Sequence, residues 1–173
     1  MQMAVREKSM SSPSGYSRLQ IILHWTIAAL ILVQLTINSD MQQAFAQRLT
    51  GDTLPENAGA TFHAAIGIAV LFLATLRLGI RHAHGVPLPP KANHRLLNLL
   101  GHATHLLLYG FLFFMPISGA LAWFGGIETA GVLHELGRFI LIPAILLHIG
   151  GAIVEELVLN NRVIRRMIRA KSP

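Results

Sequence analysis

Four apolar runs dominate this sequence, at about residues 19–38, 62–81, 96–124 and 133–158, each long enough to cross a bilayer as a helix. A bilayer interior leaves such runs one outcome, because every backbone N–H and C=O must be paired within the segment itself. The sequence therefore predicts an all-α, integral membrane protein: a four-helix up-and-down bundle in which residues 1–173 form a single transmembrane domain. Composition agrees, since only 13% of residues are charged, against about 25% in soluble domains. No small-residue cleavage site follows the first run, which is expected to remain as a spanning helix.

The segments between the runs set the topology. Residues 1–15 form a flexible polar lead with Ser9, Ser11, Ser12, Pro13, Ser14 and Gly15. Asn38, Ser39 and Asp40 end the first run, and the polar stretch to about Thr61 has room for a short interfacial helix. Pro87, Pro89 and Pro90 fix an extended second connection, because proline lacks the helical donor. Pro116 and Pro143 predict bends or a loosened ladder in the third and fourth runs. Residues 160–173 form a basic tail.

Arg6, Lys8 and Arg18 precede the first run, while Arg77, Arg81, Lys91 and Arg95 surround the second connection. Arg162, Arg165, Arg166, Arg169 and Lys171 follow the last run. The first and third connections carry only Arg48 among basic residues, with Asp40, Asp52, Glu56 and Glu128. By the positive-inside rule both termini are cytoplasmic. The net charge of +6 is thus a topology signal and not a nucleic-acid footprint, and the tail is placed to touch anionic lipid.

Cysteine is absent, which excludes disulfides, thiolate metal sites, iron–sulfur clusters and covalent haem attachment. Nine histidines remain. An intramembrane imidazole is costly without a partner, so each one inside a run is a functional candidate. His134 and His148 lie fourteen residues apart on the fourth run, about 21 Å along a helix and within about 40° of one face. By depth the histidines form an outer pair, His63 with His134, and an inner group of His24, His102, His105 and His148. Paired neutral imidazoles without sulfur or carboxylate suit haem iron better than hard cations or zinc. Gly67, Gly150 and Gly151 would give a macrocycle room, with helix–helix contact as their competing role. His82, His84 and His94 belong to the second connection and read as solvated.

The segment Tyr16-Ser-Arg-Leu-Gln-Ile-Ile-Leu-His24-Trp25 resembles the opening of the bacterial cytochrome b(561) family, four-helix di-haem membrane cytochromes related to the cytochrome b subunits of nickel–iron hydrogenases. His63 with Gly67 and Leu76-Arg77-Leu78 is similar to its second helix, and Pro87–Pro90 to its inner loop. His105-Leu-Leu-Leu-Tyr109 with Pro116-Ile-Ser-Gly119 is similar to the third, and Leu133-His134-Glu135 with Leu147-His148 to the fourth. The likeness spans about residues 16–168. It implies two non-covalent haem b groups, an outer one on His63 and His134 and an inner one on His24 and His148. His105 then lies near a quinone or a propionate, although spacing alone leaves it open as a ligand. Arg77 and Arg138 are candidate propionate partners, because an intramembrane arginine wants an anion; for Arg138 the competing role is snorkelling to the interface.

Two features depart from the pattern. Glu155 and Glu156 stand where many relatives carry a His-His pair, as proton acceptors or as a solvated helix end, the latter preferred. The connection at about residues 125–132 is too short to build the outer cap of relatives with a longer loop. The resemblance implies a bacterial inner-membrane oxidoreductase that passes electrons from a periplasmic donor to ubiquinone near the cytoplasmic side. In its sharpest form this is a superoxide:ubiquinone oxidoreductase. A haem subunit relaying electrons from a partner dehydrogenase or hydrogenase is the neighbouring reading, a histidine-rich metal-ion transporter the distant one. The lipid bilayer, a quinone, and either a second copy of the chain or a partner dehydrogenase are the expected partners.

Overall fold

The computed structural model describes residues 13, 15–36, 39–51, 56–88 and 95–170, and among them there is no strand. Helix α1 spans Arg18–Thr36, α2 Ser39–Thr50, α3 Ala58–His84, α4 Arg95–Gly125 and α5 Glu128–Ile153; a π-helical turn covers Val154–Val158, and a short α6 Val163–Arg166. Four of these segments, α1, α3, α4 and α5 with its π turn, are long and apolar enough to span a membrane. Of the residues singled out in the sequence, Arg6, Lys8, Ser9, Ser11, Ser12, Ser14, Asn38, Asp52, Pro89, Pro90, Lys91, His94 and Lys171 lie outside the described residues.

Helix ends differ from the hydropathy boundaries because hydropathy measures bilayer thickness whereas a helix ends where its backbone is capped. The second spanning helix starts at Ala58, not at 62, since the Asn57 side chain accepts from the Ala60 N–H at 2.9 Å. Helix α1 starts in a capping box: Ser17 Oγ accepts from Gln20 N at 3.2 Å, and Gln20 Oε1 from Ser17 N at 2.9 Å. The connection expected at about 125–132 shrinks to Gly126 and Ile127, because Glu128 and Thr129 are already helical. Gly126 takes φ 64°, the left-handed conformation that glycine adopts without strain. The helices run on through Pro116 and Pro143, each of which leaves one rung of the ladder without its N–H, and the helix type changes at Val154, where Leu159 N bonds Val154 O at 3.0 Å.

Packing seams join α1 to α3, α3 to α4 and α4 to α5, but no comparable seam joins α5 to α1 or α3. Helix α5 therefore stands off from those two across an open interior. At the end carrying Arg18, Arg81 and Arg95, here the basic end, Arg77 Nη1 donates to Gln20 O at 2.9 Å and Gln20 Nε2 to Gly85 O at 2.9 Å, locking α1 to α3. At the opposite end lies a small dry core of Ala44, Ala60 and Trp123, with Met41, Phe45 and Ala64 against it. The cap that the short α4–α5 connection cannot provide comes from α2 instead: Phe45 lies so close to Gly131 that a side chain there would collide with its ring.

Candidate functional site

The open interior is a cavity of about 1330 Å³, larger than the roughly 300–1,000 Å³ of a drug-sized ligand pocket. His24 on α1, His63 on α3, and His134 and His148 on α5 all line it, half-buried. The ring centroids of His63 and His134 are 6.2 Å apart with planes crossing at 74°. Those of His24 and His148 are also 6.2 Å apart, crossing at 73°. Each pair bridges the gap where α5 has no packing seam, so the helix spacing and the imidazole spacing are one feature.

The separation carries chemical information. With metal–nitrogen bonds of about 2.0–2.1 Å and each ring nitrogen about 1.1 Å from its ring centre, two imidazoles on opposite sides of one metal place their centroids about 6.3 Å apart. Both pairs meet that distance. His105 and His148 are 5.0 Å apart at 86°, too close for a metal held between them in this way. His105 and His102 are exposed and bond back to their own helix, to Gly101 O at 2.6 Å and Asn98 O at 2.7 Å. His82 and His84 are exposed.

The surroundings fit a flat, bulky group. A Cβ added at Gly150 or Gly151 would meet nothing within 4 Å, and one at Gly67 only Gln34 Nε2 at 3.5 Å. All three line the cavity, Gly150 and Gly151 facing open space and Gly67 lying against Gln34 of α1. Gly119 acts differently, because its Cβ would stand 3.0 Å from His134 Cε1, so only glycine lets α4 come this close to the ring. The carbonyl of Met115 lies 2.8 Å from His134 Nδ1. A carbonyl can only accept, so Nδ1 carries the proton and Nε2 keeps its lone pair for a metal. Ser118 Oγ, 3.3 Å from the same nitrogen, adds a second polar neighbour.

The remaining candidates are placed as follows. Arg77 lines the cavity at the basic end, with one guanidinium nitrogen bound to Gln20 O. Arg138 pairs with Glu135 at 3.6 Å and lies over the Phe139 ring at 5.4 Å. Glu156 is not a solvated helix end. Its side chain is only 10% exposed, pairs with Arg165 at 2.9 Å and accepts the Ile164 N–H at 3.0 Å. Sequence reasoning missed Gln34, Met115 and Ser118. Gln34 Nε2 donates to His63 O at 3.0 Å, and its only sequence signal is an amide inside an apolar run. The Met115 contribution is a backbone atom and has none.

An apolar four-helix bundle whose histidines face one another in pairs across an open interior defines a class, the membrane-bound b-type cytochromes. The chain belongs to a particular family of that class, the prokaryotic cytochrome b561 family, whose model matches residues 15–170. It is also 32% identical over 162 residues to a cytochrome b562 of Cereibacter sphaeroides, covering 94% of this chain and 100% of that protein. No solved structure matches it. Family membership carries haem b as the prosthetic group and electron transfer in a membrane as the role, and sets aside the metal-ion transporter.

Proposed function

We propose that this chain is a di-haem electron carrier with two bis-histidine sites, His63 with His134 and His24 with His148, linking a donor at the α2 end to a quinone at the basic end. The observation that carries the reading is the equal 6.2 Å spacing of the two pairs, crossing at 74° and 73°. Bound between such imidazoles, haem b supplies reversible one-electron exchange. The chain's own residues do the rest: Met115 O orients His134, Gly119 admits the ring, and the glycines of α3 and α5 leave space. Arg77 keeps further N–H donors for a propionate beyond the one used on Gln20. Arg138 is the weaker propionate partner, since Glu135 already engages it. His105, beside His148 and facing the cavity, is placed to contact a quinone head group.

By charge distribution the basic end is cytoplasmic, in the inner membrane of a bacterium. In the sharpest version, two superoxide ions each lose one electron at the α2 end and leave as dioxygen. One ubiquinone at the basic end gains the two electrons, with two protons, and becomes ubiquinol. Among the described residues only Arg48, packed against the Gly126 turn, and Arg138, paired with Glu135, bring positive charge to that end, which weakens the case for an anionic donor. A donor dehydrogenase docked at the same end is the alternative.

A reduced-minus-oxidised spectrum of the purified chain tests the core of this reading. About two b haems per chain are expected. His63→Ala and His134→Ala are expected to remove the same haem, His24→Ala and His148→Ala the other, and His105→Ala neither. A colourless preparation, or independent losses within a pair, refutes the assignment. For the donor, rapid mixing with superoxide is expected to reduce the haems faster than an ascorbate control, and equal rates remove superoxide from the proposal.

A further inference from the structure

Beyond α5 the chain turns back on itself. Asn160 and Arg162 hold φ values of 53° and 52°, left-handed conformations that reverse the backbone direction. Residues 159–170 then lie across the basic end of the bundle. Asn161 Nδ2 donates to Glu155 Oε2 at 2.6 Å, and Glu156 pairs with Arg165 at 2.9 Å. Trp25 Nε1 on α1 donates to Met167 O at 2.7 Å, and Arg166 Nη1 donates to Leu88 O at 3.3 Å. The segment is thereby tied to α1, to the end of α5 and to the chain that follows α3. Its inward side, with Val163, Ile164, Arg166 and Met167, lines the cavity.

The outward side has a different character. Arg165, Ile168 and Arg169 surround a hollow of about 220 Å³, with the Arg165 side chain 67% and Ile168 60% exposed. Arg165 spends its Nε on Glu156, which leaves both terminal nitrogens as donors. Among the described residues no carboxylate pairs with Arg169. An exposed isoleucine between two guanidinium groups, where the spanning helix ends, matches the boundary between acyl chain and head group.

We infer that Arg165 and Arg169 bind the phosphate of an anionic phospholipid, seating residues 159–170 on the leaflet so that they close the basic-end mouth of the cavity. A zwitterionic lipid offers the same phosphate but cancels its charge, so the site selects phosphatidylglycerol over phosphatidylcholine. The inference depends on the membrane bundle and not on the histidine pairing, so either can fail alone.

Native mass spectrometry of the haem-loaded full chain from mixed micelles of these two lipids measures the selectivity. The wild type is expected to retain phosphatidylglycerol preferentially, Arg169→Gln to lower retention about fivefold, and Arg165→Gln with Arg169→Gln about 25-fold. Arg169→Gln leaves the Glu156–Arg165 pair in place, which separates lipid loss from unfolding of the segment. Arg18→Gln with Arg95→Gln removes two exposed charges from the same end of the bundle and is expected to have little effect. Unchanged retention in Arg169→Gln, or an equal loss in the Arg18/Arg95 control, overturns the site. Because the chain has no cysteine, Ala170→Cys accepts a single nitroxide label. Its motion is expected to be restricted in vesicles containing phosphatidylglycerol and freer in pure phosphatidylcholine. Equal mobility in both overturns the closure, and immobilisation by inorganic phosphate alone overturns the phospholipid assignment.

Discussion

Replacing Glu156 by alanine tests how the chain closes after its last spanning helix. Its Oε1 lies 2.9 Å from Arg165 Nε, and its Oε2 accepts the N–H groups of Ile164 at 3.0 Å and Arg165 at 3.4 Å. Alanine removes all three. The ion pair counts for only about 0.5 kcal/mol, because the Arg165 side chain is 67% exposed and solvent screens it. Each backbone bond to the carboxylate counts for about 1 kcal/mol, at the low end because the freed N–H can turn to water. The total of about 2.5 kcal/mol corresponds to a shift of roughly 70-fold toward the undocked segment. Hydrogen exchange on the haem-loaded chain in lipid nanodiscs reads this directly. Amides of residues 164–169 are expected to exchange some 30–150-fold faster in Glu156→Ala, while those in the middle of α5 keep their protection. Glu156→Gln retains a neutral acceptor and is expected to fall between the two. Unchanged exchange at 164–169 refutes the docking energetics, and an equal rise along α5 shows that the whole bundle, not the segment, was destabilised.

Two cavity glycines separate ligand geometry from fold. Gly119→Ala puts a Cβ 3.0 Å from the His134 ring, an overpacking cost of about 1–3 kcal/mol, and is expected to lower occupancy of the haem proposed at His63 and His134 while sparing the one proposed at His24 and His148. Gly150→Leu meets no protein atom within 4 Å at its Cβ, so the apo-chain melting temperature is expected to hold while the haem proposed at His24 and His148 is lost; full haem content in this variant refutes the cradle. Gln34→Leu removes the 3.0 Å bond to His63 O together with a buried Oε1 that has no hydrogen-bond partner among the described residues. The lost bond of about 1 kcal/mol and the relieved desolvation of about 1–3 kcal/mol oppose each other, so thermal stability is expected to stay level or rise. A clear fall indicates that Oε1 has a donor in the working protein.

Particular residues show why some of this was readable from the chain alone. His63 with His134 followed from depth, because helical rise converts sequence position directly into height in a bilayer. The glycines beside His63 and His148 were visible as small residues, but whether they served helix contact or a cofactor depended on what lay opposite. His148 had two neighbours at a matching depth, His24 and His105, and counting residues cannot measure the distance across a bundle. Only the placement of α5, held by α4 and standing off from α1 and α3, set these at 6.2 Å and 5.0 Å. Glu156 was misread as a solvated end because the groups it holds come from a backbone reversal at Asn160 and Arg162 that has no hydropathy signature.

Sequence alone determined the four membrane-spanning helices, since twenty or so apolar residues in a bilayer must satisfy their own backbone bonds. It also determined the chemistry available to them: imidazole without thiolate. Tertiary structure decided which imidazoles face each other, which carbonyl orients His134, and how α2 and the C-terminal segment come to line the cavity. Those outcomes depend on interhelical distances and on backbone atoms, which every residue carries alike and which composition and periodicity therefore cannot distinguish.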